Sequence, residues 1–231
     1  MKTVVAIHQP DFIPYLGYFY KMYKSDIFVF LDDAQYSCSN MHNWNRIKLS
    51  NGEGRLKIPV DFSFGDPINK VKIRNNLNWK SKHLKTIEMN YCKAKYFKEV
   101  YEDICEVYAD ECDNLSEFNK NIITIIAKKM GILPKKNFKS SDLKIQTLKE
   151  ERVIDICKKV DADVYYSGNG AKSYQHSEQF TSNGIELRYT DFHSVCYNQL
   201  WNDFIPNLSV IDFIMNEGYA WDKIIKEIEK T

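Results

Sequence analysis

The chain has 231 residues, of which 44% are hydrophobic and 27% charged, the balance of a globular protein with room for one substantial domain and not of a disordered one. A formal net charge of +1 supplies no global field for DNA or RNA, so an anionic ligand has to be held by a local cluster. The six cysteines form no Cys-x-x-Cys pair and fit neither a zinc ribbon nor a disulfide scaffold, and no apolar run reaches the roughly 20 residues of a membrane span; reduced thiols in a cytoplasmic protein without membrane insertion are expected.

A buried strand is predicted over residues 4–7, ending at His8-Gln9-Pro10. Helical spacing follows from Pro14 to Tyr23, with Pro14 suited to a first turn, and DIFVFLDD reads as a second apolar strand ending in Asp32 and Asp33. Strand, loop, helix and strand within about 30 residues suit a βαβ crossover, which makes the two strands parallel neighbours. QYSCSNMHNWNR reads as a polar-aromatic loop, and RLKIPV and KVKI as two strands joined through Gly65, Asp66 and Pro67. Residues 79–131 carry three helical stripes, stopped by Gly131, and read as a helical insertion or lid. A strand around Asn137-Phe138-Lys139, a helix bearing Val153, Ile156, Cys157 and Val160, the strand DVYYSG, a short helix near residues 178–182 and the strand IELRYTDF come next. LSVIDFIMNEG and AWDKIIKEIEK read as closing helices. The expected fold is one α/β domain over 1–231, a Rossmann-like, mostly parallel sheet with a helical insertion and C-terminal helices.

Four stretches could carry chemistry. A loop at the carboxyl end of a buried strand is where open α/β sheets place ligands, so His8 is the candidate general base and Gln9 a ligand-fixing amide; the bland alternative is a strand cap with a Pro-shaped loop. Asp32 or Asp33 would then lie beside His8 and orient it, or hold a divalent cation, or simply begin a turn. In Asn43-Trp44-Asn45-Arg46, Arg46 offers a planar fork for a diphosphate or carboxylate and Trp44 a stacking face, unless this is an ordinary surface loop. Ser167, Gly168 and Gly170, directly after a strand, let a backbone approach a ligand but form neither a P-loop nor a G-x-S-x-G elbow. Tyr197, Gln199 and Phe204 could complete a pocket. The histidines show no His-x-x-x-His spacing, so no metal site is expected.

In order along the chain, HQPDFIPYLGYF, DIFVFLDDAQ, NWNR, DVYYSGNGAKSY, YNQ and LSVIDFIMNEG resemble the WbqC-like protein family over nearly the whole length. One departure is Tyr15, where the family's PWLGY form has Trp; an aromatic wall is kept. The resemblance implies a role in bacterial surface-polysaccharide (O-antigen, lipopolysaccharide) biosynthesis, transferring glycine or another acyl group to the amine of a dTDP- or UDP-linked deoxyamino sugar. It would make His8 the base, with Asn45, Gln9 or a backbone amide stabilising the oxyanion. Arg46 and the 167–170 loop would hold the diphosphate, and Tyr15, Trp44, Tyr197 and Gln199 would line the site. No tightly bound cofactor is implied; the activated acyl donor is a carrier-protein or coenzyme A thioester, an aminoacyl-tRNA or an ATP-derived adenylate. An acyl carrier protein is thus a candidate partner, and a homodimer is left open. The alternatives are an ATP-dependent ligase that activates the amino acid itself, and a non-catalytic nucleotide-sugar binding protein. Strand, Pro-bearing loop, Gly-Tyr and helix are also similar to HxGH-type nucleotidyltransferases, but both of their histidines are missing here.

Overall fold

The elements follow from short apolar runs that cannot leave a face in water. In this computed structural model, which describes residues 1–201 and 203–230, they are β1 (Val4–His8), α1 (Leu16–Tyr23), β2 (Ile27–Phe30), β3 (Trp44–Leu49), β4 (Gly52–Lys57), β5 (Val60–Asp61) and β6 (Lys72–Ile73). Three helices follow, α2 (Trp79–Tyr91), α3 (Phe97–Ala109) and α4 (Leu115–Lys129). The last third is β7 (Lys136–Lys139), α5 (Lys149–Lys159), β8 (Val164–Ser167), α6 (Ser177–Ser182), β9 (Glu186–Tyr189), α7 (Val210–Glu217) and α8 (Trp221–Ile228). Among the described residues no helix is long and apolar enough to cross a membrane.

Five of these strands form one sheet in the order β7-β2-β1-β8-β9, with every neighbouring pair parallel. The expected parallel α/β fold is what forms. The sheet grows outward from β1 through β2 to β7, then restarts on the other side of β1 with β8 and β9. The order therefore reverses between β1 and β8, and ligands bind at such a switch point, beyond the carboxyl ends of the strands.

Alternation along the strands divides the core. Val5, Ile7, Ile27, Val29 and Tyr165 pack with Ile154, Ile156, Cys157 and Phe180 of α5 and α6. Ala6, Phe28, Phe30 and Tyr166 join the larger cluster with α1 and with α2, α3, α4 and α7. Both sheet faces are covered, which is why β2 reads as an unbroken apolar run. The helices over 79–131 belong to this same core rather than standing off as a flap, and none of their residues lines the cavity described below. Gly131 closes α4 at φ +72°, a backbone conformation in which a side chain is strained.

The main departure from the sequence reading is at 44–57. Trp44, Asn45 and Arg46, expected in a loop, open β3, which pairs antiparallel with β4 in a two-stranded ribbon. The inward residues Asn45 and Ile47 alternate correctly, but a buried Asn in that run hid the strand.

Burial holds His42 and His83 neutral, each at about 4. His83 lies between the Tyr108 hydroxyl at 3.3 Å and the Lys57 carbonyl at 3.1 Å and does not line the cavity described below. A histidine depressed in the folded state binds its proton first in the unfolded chain, so stability is lost as pH falls from about 6.5 towards 4. His83→Gln should flatten that part of a urea-unfolding pH series, with up to about 3 kcal/mol attributable to this residue. An unchanged slope would mean that His83 is already charged in the folded protein.

Candidate functional site

A cavity of about 1060 Å³ opens at the switch point, large enough for a nucleotide-sized ligand. Its lining includes Ile7, His8 and Gln9 after β1, Tyr15, Gly17, Tyr18 and Lys21 from the α1 region, and Ser167, Gly168 and Gly170 after β8. Glu150 and Glu151 at the start of α5, with Tyr174, His176 and Phe192, close the remaining sides. A smaller hollow of about 700 Å³ lies between α8 and residues 195–198, away from the sheet edge.

His8 is fixed on several sides. Its Nδ1 lies 3.2 Å from the Gln9 carbonyl and 3.7 Å from the Asp11 carboxylate, and its ring meets Tyr18 edge-on at 4.6 Å. With Nδ1–H donating to that carbonyl, Nε2 keeps a lone pair and has no protein partner among the described residues. About a third of the side chain is open, at the cavity surface. Burial, with the Lys21 charge adding, pushes its pKa down to about 3, so the imidazole is neutral at physiological pH.

Gln9 is held by a residue the sequence reading set aside. The Ser37 N–H donates to His42 Nδ1 at 3.3 Å, which puts the proton on Nε2, 3.1 Å from Gln9 Oε1. The amide oxygen is thus occupied, and the NH₂ is what Gln9 can offer a ligand. Asp11 lies between the two histidines, 3.7 Å from one and 3.8 Å from the other. Burial pushes Asp11 up and Lys21 down, each to about 7, while each restrains the other's shift. Lys21 donates to the Ile7 carbonyl at 3.0 Å.

The Asp32 carboxylate is not turned to His8. It accepts from Ser140 Oγ, Ser141 N and Oγ, and Asn69 Nδ2 at 2.7–3.2 Å, fastening the end of β2 to the turn after β7. Asp33 pairs with Arg152 and Ser140. Neither lines the cavity; the carboxylate that reaches His8 is Asp11, three residues along the same loop.

Asn45 is likewise a fastener. It is fully buried, and its NH₂ donates to the Phe12 and Ile13 carbonyls at 3.0 and 2.9 Å, so no N–H is left for an oxyanion. It steadies a strained point, because the β-branched Ile13 sits at φ +38°. Arg46 turns to Glu53 at 2.9 Å and to the Asn207 carbonyl at 3.2 Å, supporting the cavity wall from behind. Trp44 lies outside, stacked with Arg55 at 4.4 Å.

Tyr197 and Gln199 belong to a network that pins the 190–209 segment. Tyr197 donates to Asp212 at 2.8 Å, and Gln199 accepts from Lys48 at 3.0 Å and donates to the Ile205 carbonyl at 2.9 Å. Phe204 packs on Tyr197.

The β8 loop does line the cavity as expected. Ser167 donates to Gln175 at 2.9 Å. A Cβ at Gly168 or Gly170 would meet nothing within 4 Å, so the protein's own packing does not require glycine there. At Gly17 a Cβ would come within 2.4 Å of the Tyr15 ring, so this glycine seats Tyr15 against Phe192 in an aromatic wall.

A family model for the WbqC-like protein family matches residues 9–223. The chain belongs to that family. A protein of Mycobacterium tuberculosis (strain ATCC 25618 / H37Rv), named Uncharacterized protein Rv1507c, is similar over nearly its full length. Identity is 32% over 218 residues, covering 93% of this chain and 94% of that one. No solved structure matches the chain. The family match contains the loop from Gln9 to Tyr15, the start of α1 and the β8 turn, while Ile7 and His8 of the cavity lining precede it.

The sequence reading missed Asp11, Lys21 and His42. Asp11 lay inside the quoted motif, and Lys21 was a lone charge in an apolar helix; His42 carried no local signal. Asn45→Ala should cost about 3 kcal/mol in urea unfolding, because two buried carbonyls lose their donor. A variant as stable as the parent but inactive would return Asn45 to the chemistry.

Proposed function

We propose that this WbqC-like protein is a transferase that joins glycine, or a similar acyl group, to the amine of a nucleotide-linked deoxyamino sugar. The product would serve surface-polysaccharide assembly. The observation that carries this reading is a neutral His8 at the switch point, with Nδ1 tied to the Gln9 carbonyl and Nε2 unpartnered in a cavity of nucleotide size. A nucleotide sugar laid across β1 and β8 would bring its sugar within reach of His8.

In this scheme the sugar amine attacks the acyl carbonyl of an activated donor and a C–N bond forms. His8 Nε2 accepts the amine proton as the tetrahedral intermediate forms and returns it to the departing thiolate, ribose oxygen or adenylate phosphate. The Gln9 NH₂, held by His42, is the side-chain donor suited to the developing oxyanion, the place the sequence reading shared with Asn45. An anionic substrate favours the imidazolium and so raises the basicity that burial has lowered.

His8→Ala should leave binding of a dTDP- or UDP-amino sugar nearly unchanged by calorimetry while amide formation falls by roughly 10²- to 10⁴-fold. Mass spectrometry of the acceptor, incubated with glycine supplied as a thioester, as aminoacyl-tRNA or with ATP, identifies the donor. Loss of binding together with turnover would rule against the base assignment. Tight binding with no product from any donor would replace the transferase with a binding protein.

A further inference from the structure

The cavity floor contains a charge to which the acyl-transfer scheme gives no part. Lys21 comes from the last turn of α1, a helix whose other buried residues are Leu16, Gly17, Tyr18, Phe19, Tyr20 and Met22. It is 5% exposed and lines the cavity. An ammonium has three N–H donors, and among the described residues only the Ile7 carbonyl, at 3.0 Å, accepts one from it. A charge withdrawn from water with donors unfilled is costly, and packing alone would be met by a Met or Leu at this position. The cavity is the direction from which acceptors can come.

We propose that Lys21 forms an oxyanion seat in the cavity floor, its unfilled donors taking a phosphoryl or carboxylate group of the substrate. This rests on the cavity being the substrate site. In the nucleotide-sugar reading it gives the diphosphate the cation that Arg46, turned to Glu53, does not supply. Lys21 is a binding residue in this proposal, and His8 keeps the proton transfer.

The surrounding groups suit an exchange of charge on binding. Asp11, His8 and His42 approach from the loops after β1 and β2, Tyr15 and Tyr18 from the α1 region, and Lys149, Glu150, Glu151 and His176 from the far wall. Without ligand, Lys21 and Asp11 are poised near neutrality and together carry little net charge at pH 7. An arriving anion favours the ammonium on Lys21 and the protonated carboxyl on Asp11, and draws a proton from solvent.

The test is calorimetry at pH 7 with inorganic pyrophosphate, acetate and uncharged uridine, each in two buffers of different ionisation enthalpy. The parent protein should bind an oxyanion with net proton uptake. Lys21→Met should weaken that binding roughly 10- to 100-fold while its melting temperature holds or rises, and Lys21→Arg should retain most of it. Preference for pyrophosphate assigns a phosphoryl group to the seat, and preference for acetate a carboxylate. Failure of both anions to bind, or equal binding by Lys21→Met, would overturn the proposal. If Lys21→Met does not fold, the parent's oxyanion binding and its retention by Lys21→Arg decide: both present support the seat, either absent removes it. No acyl donor is present, so the outcome is independent of whether the protein makes an amide.

Discussion

Two buried asparagine amides hold the loop on which the site depends. Between β1 and α1 the chain runs through the core without regular structure, leaving the carbonyls of Pro10, Phe12 and Ile13 away from water. Asn119 of α4 donates to Pro10 and to His42, and Asn45 of β3 donates to Phe12 and Ile13, at 2.7–3.0 Å. Buried carbonyls without donors would open this loop to solvent. With them satisfied, His8, Gln9 and Asp11 are held in one arrangement and Ile13 is kept at its strained angle. The 79–131 helices therefore act on the site from beneath, through α4, and do not cover it.

The parallel sheet supplies the second constraint. Reversal of strand order at β1 and β8 leaves no crossover above their carboxyl ends, so a cavity forms where His8 and Ser167 leave the sheet. Part of its wall comes from Thr190, Phe192, Ser194 and Asn207, which lie outside the regular elements of the sheet. A buried network of Lys48, Tyr91, Gln199, Tyr197 and Asp212 fastens the 190–209 segment to β3, α2 and α7. Tyr197 and Gln199, which looked like pocket walls in the sequence, and Arg46, which looked like a diphosphate fork, thus support the segment in which Thr190, Phe192 and Asn207 stand.

Electrostatically the cavity floor is balanced close to zero. His8 and His42 are neutral through burial, and Lys21 and Asp11 moderate each other. The groups around His8 are therefore sensitive to charge brought into the cavity.

The sequence by itself determined the α/β class, the five strands of the main sheet, the helices and the polar segment that ends β1 at the cavity. Each of those signals is local: apolar runs of strand length, helical stripes, and a polar His-Gln-Pro at a strand end. Ser167, Gly168 and Gly170 were legible for the same reason. Only the tertiary structure decided which polar residues face the cavity. Asp32 and Asn45 carry chemically suitable groups, yet their bonds run to the turn after β7 and to the loop carbonyls, partners that no spacing reveals. His42 reaches Gln9 across 33 positions, and Asp11 stands beside His8 where Asp32 was expected because the turn after β2 carries Asp32 to Ser140 and Ser141. Lys21 was in view in an apolar helix, but the side on which its ammonium emerges is fixed by the packing of α1 against the end of β1.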